Sequence, residues 1–594
     1  DLFEEHAAEL FSLTTREAGK SMLDAVGELR EAVDFARFYA TEALRNEHSG
    51  EARGVITCIS PWNFPLAIFS GQVLAALAAG NAVLAKPADQ TALIAARAVE
   101  LMREAGIPAD VLQLLPGSGV NVGAPLTSDA RIAGVCFTGS TATAQRINKV
   151  MADKVSPDAP LVAETGGLNA MIVDSTALPE QVVRDVLASA FQSAGQRCSA
   201  LRMLYLQEDI ADHVLEMLFG AMDELRIGNP WSLSTDIGPV IDTLAKSRIE
   251  EHCETFRQKG RVLKSMLIPQ DGLFVAPTVI KLEGIAELDQ EIFGPILHVA
   301  TFSADQIDAV VDDINAQGYG LTFGLHTRVD KRVARICERI SVGNIYVNRN
   351  QIGAVVGSQP FGGEGLSGTG PKAGGPHYVK RFMTNAQVAV EPSLGAGVDT
   401  DALQSAIDQL NNSAQSKAWA EDADRHTKLV GLLGDVGAEI TVLGGEAEAM
   451  PGPTGELNLL SDISRGVVLC LGPDKDTALQ QAAVALAQGN AVVLVAPGVE
   501  NWARNAGEVG LPVAVVEGLV VPGALTTAKG FAAVTSNADI STLRDYRQAL
   551  AARDGVLLPL ITEVNAPERF VMERHLCVDT TAAGGNASLI AASE

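Results

Sequence analysis

Gly54-Val55-Ile56-Thr57-Cys58-Ile59-Ser60-Pro61-Trp62-Asn63-Phe64-Pro65, followed by Gly80-Asn81-Ala82-Val83-Leu84-Ala85-Lys86-Pro87, decides the fold. Each run is a short, continuous apolar stretch that stops at a proline-marked turn, and residues 66–79 between them carry a helical pattern. Strands that are apolar throughout, rather than alternating, are buried on both faces, so the pattern predicts a parallel sheet covered by helices. Outward along the chain, a helix over 92–105 leads to Val111-Leu112-Gln113-Leu114-Leu115 and then Gly117-Ser118-Gly119. A strand over 132–137 closes on Thr138-Gly139-Ser140. Upstream, residues 1–48 read as two amphipathic helices, with Leu2, Phe3, Leu10 and Leu13 and then Leu29, Val33, Phe35 and Phe38 at helical spacing. Strand–helix–strand units wind right-handedly and bind ligands at the carboxyl ends of their strands. Asn63, Lys86, Gly117 and Ser140 all fall at those ends.

The α/β alternation continues with strands around 170–173, 203–206, 297–302 and 343–347, and Glu291-Ile292-Phe293-Gly294-Pro295-Ile296 forms a loop before one of them. A glycine-rich stretch over 353–375 closes this unit. From about Ala396 to about residue 450 the chain is more acidic and alanine-rich, which marks a boundary. The last two hundred residues then hold an internal echo. Arg465-Gly466-Val467-Val468-Leu469-Cys470-Leu471-Gly472-Pro473 parallels 53–61, and Gly489-Asn490-Ala491-Val492-Val493-Leu494 parallels 80–85. Gly510-Leu511-Pro512 and Val521-Pro522-Gly523 echo 106–108 and 115–117. Any two strand–helix–strand units look alike, but matches in the same order point to a degenerate copy of the first sheet. Val495 stands near the place of Lys86, and nothing replaces Asn63, Glu164 or Cys198.

The composition narrows the function. The chain has 594 residues, 47% hydrophobic and 20% charged, enough for several cores. A formal net charge of −27 without a basic block argues against sequence-independent nucleic-acid binding and against docking on anionic lipid. Seven cysteines, scattered and without CxxC spacing, make neither a disulfide framework nor a zinc site, so no metal is expected and a reducing cytoplasm is the expected location. Asp1-Leu2-Phe3-Glu4-Glu5 is no signal peptide, and apolar runs such as 73–79 are too short to span a bilayer. The abrupt helical opening at Asp1 suggests a piece of a longer chain.

The chemistry gathers at Phe191-Gln192-Ser193-Ala194-Gly195-Gln196-Arg197-Cys198-Ser199, with Glu164-Thr165-Gly166-Gly167 upstream. A cysteine among small residues suits a thiol at a tight turn, and a carboxylate one helix away can meet it across a pocket. Were Asn63 to converge on them, its amide and the Cys198 N–H could hold the oxyanion formed when the thiolate attacks a carbonyl. A hydride acceptor alongside would turn the adduct into a thioester, and Glu164 would activate water to hydrolyse it. Asn63 equally suits a turn before Phe64-Pro65, and Glu164 a helix cap. Lys86 can bond a ribose hydroxyl or snorkel to solvent, and Asp89 beside it disfavours a ribose phosphate. Thr138-Gly139-Ser140 can hold a pyrophosphate at a helix start or merely cap the helix.

Taken together, Ser60-Pro61-Trp62-Asn63-Phe64-Pro65, Lys86-Pro87, Phe137-Thr138-Gly139-Ser140, Glu164-Thr165-Gly166-Gly167, Gly195-Gln196-Arg197-Cys198 and Glu291-Ile292-Phe293-Gly294-Pro295 resemble the aldehyde dehydrogenase superfamily over about residues 1–390. The resemblance implies Cys198 as nucleophile, Glu164 as base and Asn63 as oxyanion donor. It implies an NAD site with Lys86 at the adenosine ribose, Ser140 and Gly139 at the pyrophosphate, Glu291 at the nicotinamide ribose and Phe293 beside the ring. Ile59, Pro61, Trp62 and Gly117 complete that site. Leu168 departs from the lysine that many relatives carry there. The implied fold is α/β: a Rossmann-like NAD domain over 1–160, a catalytic domain over 161–350, an anchor loop and return segment over 351–395, and a degenerate Rossmann-like domain over 396–594. An oligomer is the usual assembly.

Gly195-Gln196-Arg197-Cys198-Ser199-Ala200, Val356-Gly357-Ser358-Gln359-Pro360-Phe361-Gly362-Gly363 and Pro371-Lys372-Ala373-Gly374-Gly375-Pro376-His377-Tyr378 look like the branch that oxidises L-glutamate γ-semialdehyde, the open form of Δ1-pyrroline-5-carboxylate. Arg574-His575-Leu576-Cys577-Val578-Asp579 and the residues to 586 resemble the end of long proline utilization proteins, in which a flavin (FAD) proline dehydrogenase precedes the aldehyde dehydrogenase. The implied substrate site has the Gly353 and Ala354 backbone and Ser199 toward the carboxylate, and Glu31 toward the ammonium. Phe64 and Phe361 lie along the aliphatic middle, with Arg197 nearby. Rival expectations are another acidic aldehyde such as succinic semialdehyde, a thioesterase or esterase that ignores Lys86 and Glu291, and a C-terminal unit that works as a lid or scaffold.

Overall fold

The computed structural model describes residues 1–45, 50–384, 390, 395–398, 400–433 and 440–581. The first sheet has five parallel strands in the order Leu112–Leu114, Ala82–Lys86, Val55–Ile59, Ile132–Thr138, Leu161–Glu164. Both faces are buried, as the continuous apolar strands require: Ile56, Cys58, Val83 and Ala85 pack into one core, and Val135, Phe137, Leu161 and Ala163 into another. The helix Met22–Arg45 covers the first of these faces, so close to the helix Ala67–Ala78 that a Cβ at Gly71 would lie 2.9 Å from the Phe35 ring. The two expected N-terminal helices are three. His6 breaks the first into Leu2–Glu5 and Ala7–Ala18, and Gly19 ends the second in the left-handed conformation that glycine adopts freely.

The middle sheet holds ten strands, and its central parallel set is Asn344–Val347, Thr322–His326, Ala170–Val173, Met203–Gln207, Ile296–Phe302 and Thr278–Lys281. Its far edge comes from the C-terminal third of the chain. Val571–Asp579 pairs parallel with Asn344–Val347, Glu456–Ser464 pairs antiparallel with Val571–Asp579, and Glu448–Met450 forms the edge. The expected boundary near Ala396 is therefore crossed in space. Residues 448–464 and 571–579 belong to the middle sheet, while the segments between them form a unit of their own.

That unit is a five-stranded parallel sheet in the order Val513–Val516, Ala491–Val495, Val467–Cys470, Ala533–Thr535, Leu560–Ile561. Strand for strand, this is the order of the first sheet. Alternate residues face two cores, Leu469 and Val493 in one and Val468 and Val492 in the other. The helix Ile540–Ala551 packs on its counterpart Thr141–Lys154 of the first unit. Of the closing motif that resembles long relatives, residues 582–586 lie outside the described residues.

Candidate active site

Cys198 sits after a run of three left-handed residues, Ser193 (φ 58°), Ala194 (φ 53°) and Gly195 (φ 64°). Two of them are not glycine, a conformation sustained only where the surroundings impose it. Arg202 imposes much of it: its guanidinium donates to the carbonyls of Gly195 (2.7 Å) and Arg197 (3.0 Å) and to Glu291 Oε1 (2.8 Å). A Cβ at Gly195 would run into the Gly294 carbonyl, so glycine is required there. Asn169 completes the frame, donating to the carbonyls of Cys198 (2.6 Å) and Ala200 (3.0 Å). Arg202 and Asn169 carry no motif of their own, which is why sequence reading passes over them.

Glu164, the last residue of its strand, meets Cys198 in the same cavity of about 80 Å³. Its Oε2 accepts the Gly363 N–H (2.9 Å), and Oε1 is out of solvent with no hydrogen-bond partner among the described residues. Glycines make room for this carboxylate: a Cβ at Gly362 or Gly368 would lie 2.8 Å or 2.9 Å from Oε1. Burial pushes the Glu164 carboxyl up to about 8, against the pull of the Gly363 N–H and the Lys372 ammonium. The Cys198 thiol is pushed up to about 12 by burial and then by the carboxylates of Glu291, Glu164 and Glu31. A thiol in this state needs a base to become a nucleophile, and Glu164 is the carboxylate expected for that role in the same cavity.

Asn63 is buried, and its Nδ2 donates to the Gln196 carbonyl (3.2 Å), which brings it onto the cysteine loop. Trp62 reaches Phe293 edge to face at 5.6 Å, and the Arg202 guanidinium lies 5.2 Å from the Phe293 ring centre. The expected substrate residues Glu31, Phe64, Arg197, Ser199, Gly353, Ala354 and Phe361 all line the Cys198 cavity. Below it lies an ion network absent from the sequence reading. Arg197 donates to Asp24 (2.7 Å), Lys20 reaches Ser193 Oγ (3.0 Å), and Glu28 lies 3.7 Å from Lys20. Lys20 and Arg197 also stand 4.4 Å and 5.4 Å from the centre of the Phe64 ring. Burial and the neighbouring Glu28 carboxylate raise the Glu31 carboxyl to about 8.

The expected cofactor residues cluster at the carboxyl ends of the first sheet. Ile59 and Lys86 end paired strands, and Lys86 Nζ donates to the Pro87 carbonyl (2.9 Å) and Asp89 (3.0 Å). Ser140 is exposed and caps the helix Thr141–Lys154 by accepting the Thr143 N–H (3.3 Å). A Cβ at Gly139 would stand 2.6 Å from the Phe137 ring, and Gly117 adopts φ 142°. An open helix start, a strand-end ammonium and glycines that keep the backbone approachable fit a dinucleotide diphosphate. Glu291 presses so closely on Gly166 that any Cβ there would overlap its Oε2.

A family model described as the aldehyde dehydrogenase family matches residues 1–388. The chain belongs to the aldehyde dehydrogenase family. It is 48% identical over 614 residues to the "Bifunctional protein PutA" of Escherichia coli (strain K12), covering 99% of this chain and 46% of that protein. To the "1-pyrroline-5-carboxylate dehydrogenase" of Anoxybacillus flavithermus it is 39% identical over 396 residues, 63% of this chain and 76% of that one. Among solved structures, a Bradyrhizobium japonicum Proline Utilization A (PutA) mutant superposes with a TM-score of 0.63 at 53% identity, covering 64% of this chain and 41% of that one. A 1-pyrroline-5-carboxylate dehydrogenase from Thermus with bound NAD gives 0.61 at 33% identity, covering 64% and 78%. The aldehyde dehydrogenase chain thus spans about half the length of the PutA relatives that it matches almost end to end. No helix among its described residues is long and apolar enough to cross a membrane.

Proposed function

We propose that this chain oxidises L-glutamate γ-semialdehyde to L-glutamate with NAD, as the aldehyde dehydrogenase part of a bifunctional proline-catabolising protein. The carrying observation is one cavity that gathers Cys198, Glu164, Glu31, Arg197, Ser199 and the Gly353-Ala354 backbone. A substrate with an ammonium, a carboxylate and a short aliphatic middle needs acidic, polar and apolar groups at one site, and this cavity offers all three. Resemblance to 1-pyrroline-5-carboxylate dehydrogenases adds support.

Glu164 takes the Cys198 proton, and the thiolate attacks the aldehyde carbon. Asn63 Nδ2 and the Cys198 N–H donate to the oxyanion of the thiohemiacetal. When bound, NAD supplies the hydride acceptor that converts this adduct to a thioester. Once Glu164 has passed the cysteine proton to solvent, it removes a proton from water, and the hydroxide attacks the thioester carbon, releasing glutamate and freeing the Cys198 thiolate. Lys86, Ser140 and Glu291 would hold the dinucleotide, and Asp89, 3.0 Å from Lys86, disfavours a 2′-phosphate and so NADP. An upstream flavin-bearing proline dehydrogenase on the same polypeptide, a homo-oligomer and a cytoplasmic location complete the reading, with the degenerate unit as a non-catalytic cover or scaffold.

The test is NADH formation from Δ1-pyrroline-5-carboxylate, with succinic semialdehyde and NADP run beside it. The reading requires turnover with the first pair and a large loss when the α-amino group is missing. A folded, NAD-binding chain that prefers succinic semialdehyde would overturn the substrate while leaving the chemistry.

A further inference from the structure

A second cavity, of about 500 Å³, lies between the first unit, its copy and the middle sheet, and shares no lining residue with the Cys198 cavity. One wall is built twice, once from each repeat. Arg53 enters the first sheet and donates from Nε to the Arg381 carbonyl (3.2 Å). Arg465 enters the copy and donates from Nε to the Arg569 carbonyl (2.8 Å). Arg53, Arg381 and Arg569 converge on one carboxylate, Glu563, at 3.3, 2.7 and 3.5 Å. Asp158 adds a longer contact to Arg53 at 3.8 Å. Among the described residues, Arg465 has no carboxylate in ion-pair contact, and the buried Arg569 Nε has no hydrogen-bond partner.

Three of these four guanidiniums therefore share Glu563, while Glu364, Asp554, Glu568 and Glu573 also line the cavity but make no ion pair with the four. Burial first, and then the Arg569 charge, push Arg381 well down and Arg465 to about 10. Glu563 opposes the push on Arg381, and Glu364 and Glu573 oppose it on Arg465; since a guanidinium keeps its proton in a protein, the push marks charges buried with incomplete compensation rather than loss of charge. Folded proteins pair the charges they bury, and a basic cluster with too few acids is completed by an anion. Planar forks of this kind match phosphate and carboxylate oxygens bidentately. The volume falls within the range of small-molecule sites, roughly 300–1,000 Å³. Phe531 adds an aromatic wall, with the Arg553 guanidinium 4.9 Å from its ring centre.

We infer that this cavity binds a small multivalent oxyanion, of the diphosphate or tricarboxylate kind, held by Arg53, Arg381, Arg465 and Arg569. The site would be assembled jointly by the catalytic part and its degenerate copy, giving the copy a role in ligand binding.

The test is calorimetric titration of the 594-residue chain with inorganic pyrophosphate and, separately, citrate, at an ionic strength held constant with chloride and both with and without NAD. One site per chain is expected for at least one of the two anions, with NAD leaving it in place. Arg465→Gln and Arg569→Gln should each weaken it about tenfold or more. If circular dichroism shows those variants unfolded, Arg553→Gln at the aromatic wall should still weaken binding severalfold. No binding by the wild type, displacement by NAD, or unchanged affinity in the folded variants would each overturn the inference. Preference between pyrophosphate and citrate separates a phosphate-bearing ligand from a polycarboxylate.

Discussion

Asn81 and Asn490 do the same work in the two five-stranded units. Asn81 donates to the carbonyls of Ala76 (3.0 Å) and Phe382 (2.9 Å) and accepts from the Gly54 N–H (3.0 Å). Asn490 donates to Ala485 (2.9 Å) and Phe570 (2.9 Å) and accepts from the Gly466 N–H (3.1 Å). The units part company at the strand ends where a ligand would sit. By register, Cys58 pairs with Ala85 and its counterpart Cys470 with Leu494, so Val495, the next residue, occupies the place of Lys86. Likewise Thr57 pairs with Val135 and Leu469 with Val534, so Asp539 stands where Ser140 stands. Both cap a helix, but hydrogen bonds from Ser541 and Thr542 hold the Asp539 carboxyl at about 2, leaving a fixed negative charge where a diphosphate would have to lie.

The loop that carries Asn63 differs too. In the first unit the helix Ala67–Ala78 has no cap of its own and borrows Glu28, whose Oε2 accepts the N–H groups of Leu66 (3.2 Å) and Ala67 (2.9 Å). In the copy, Asp474 caps Lys475–Ala487 locally through the Thr477 N–H (2.8 Å), on a shorter loop. The hydrogen bonds that hold strands together survive duplication, whereas a site vanishes with a few changes at three strand ends.

The comparison breaks most sharply at the cysteines. Cys198→Ala should lower turnover by about 10⁴-fold or more, since no other group can carry the acyl chain. Cys470→Ala, in the core of the copy, should stay within about twofold of wild type in kcat while lowering stability by about 1 kcal/mol. A catalytic effect at Cys470 would mean that the copy takes part in the chemistry.

Glu164→Gln should cost about 10²–10⁴-fold, the usual worth of a positioned base. Its pH profile is the sharper readout. The wild-type carboxyl, raised to about 8, works as a base only once deprotonated, so the rate should climb as pH rises through about 8. That limb should be missing in the variant, and its persistence would assign the ionisation to another group.

Asn81→Ala removes a three-bond latch and Asn490→Ala a four-bond one, since the Arg465 N–H also donates to Asn490, and each should lower stability by about 1–3 kcal/mol in denaturant unfolding. Only the first should also weaken NAD binding, because only its sheet ends at the residues proposed to hold the cofactor. Equal effects on NAD would show that the copy supports the cofactor site after all. The smallest expected change is in Asp89→Asn, which should raise the use of NADP relative to NAD by a few-fold through loss of like-charge repulsion. No change would mean that the ribose phosphate does not come near Asp89.

Much of this was legible along the chain because it is local. Continuous apolar strands, the turns after them and the repeated Arg-Gly and Gly-Asn pairs set both parallel sheets and their kinship. The motifs around Cys198, Glu164 and Asn63 marked the family. Arg202, Asn169 and Lys20 were invisible, since a buried arginine, asparagine or lysine is defined by partners far away in sequence. Glu291 lies 89 residues from the arginine that holds it. The boundary near Ala396 was only half the answer, because strand pairing is a long-range bond between backbones that any apolar strand can make.

What the sequence determined by itself was therefore the parallel α/β character of both units, their kinship and the family, all carried by short-range pattern. Tertiary structure alone decided that Val571–Asp579 completes the middle sheet, that Glu164 sits in a glycine-lined niche which raises its carboxyl, and that arginines from two repeats meet around Glu563. Proximity and desolvation between distant segments create these properties, and no local pattern encodes either.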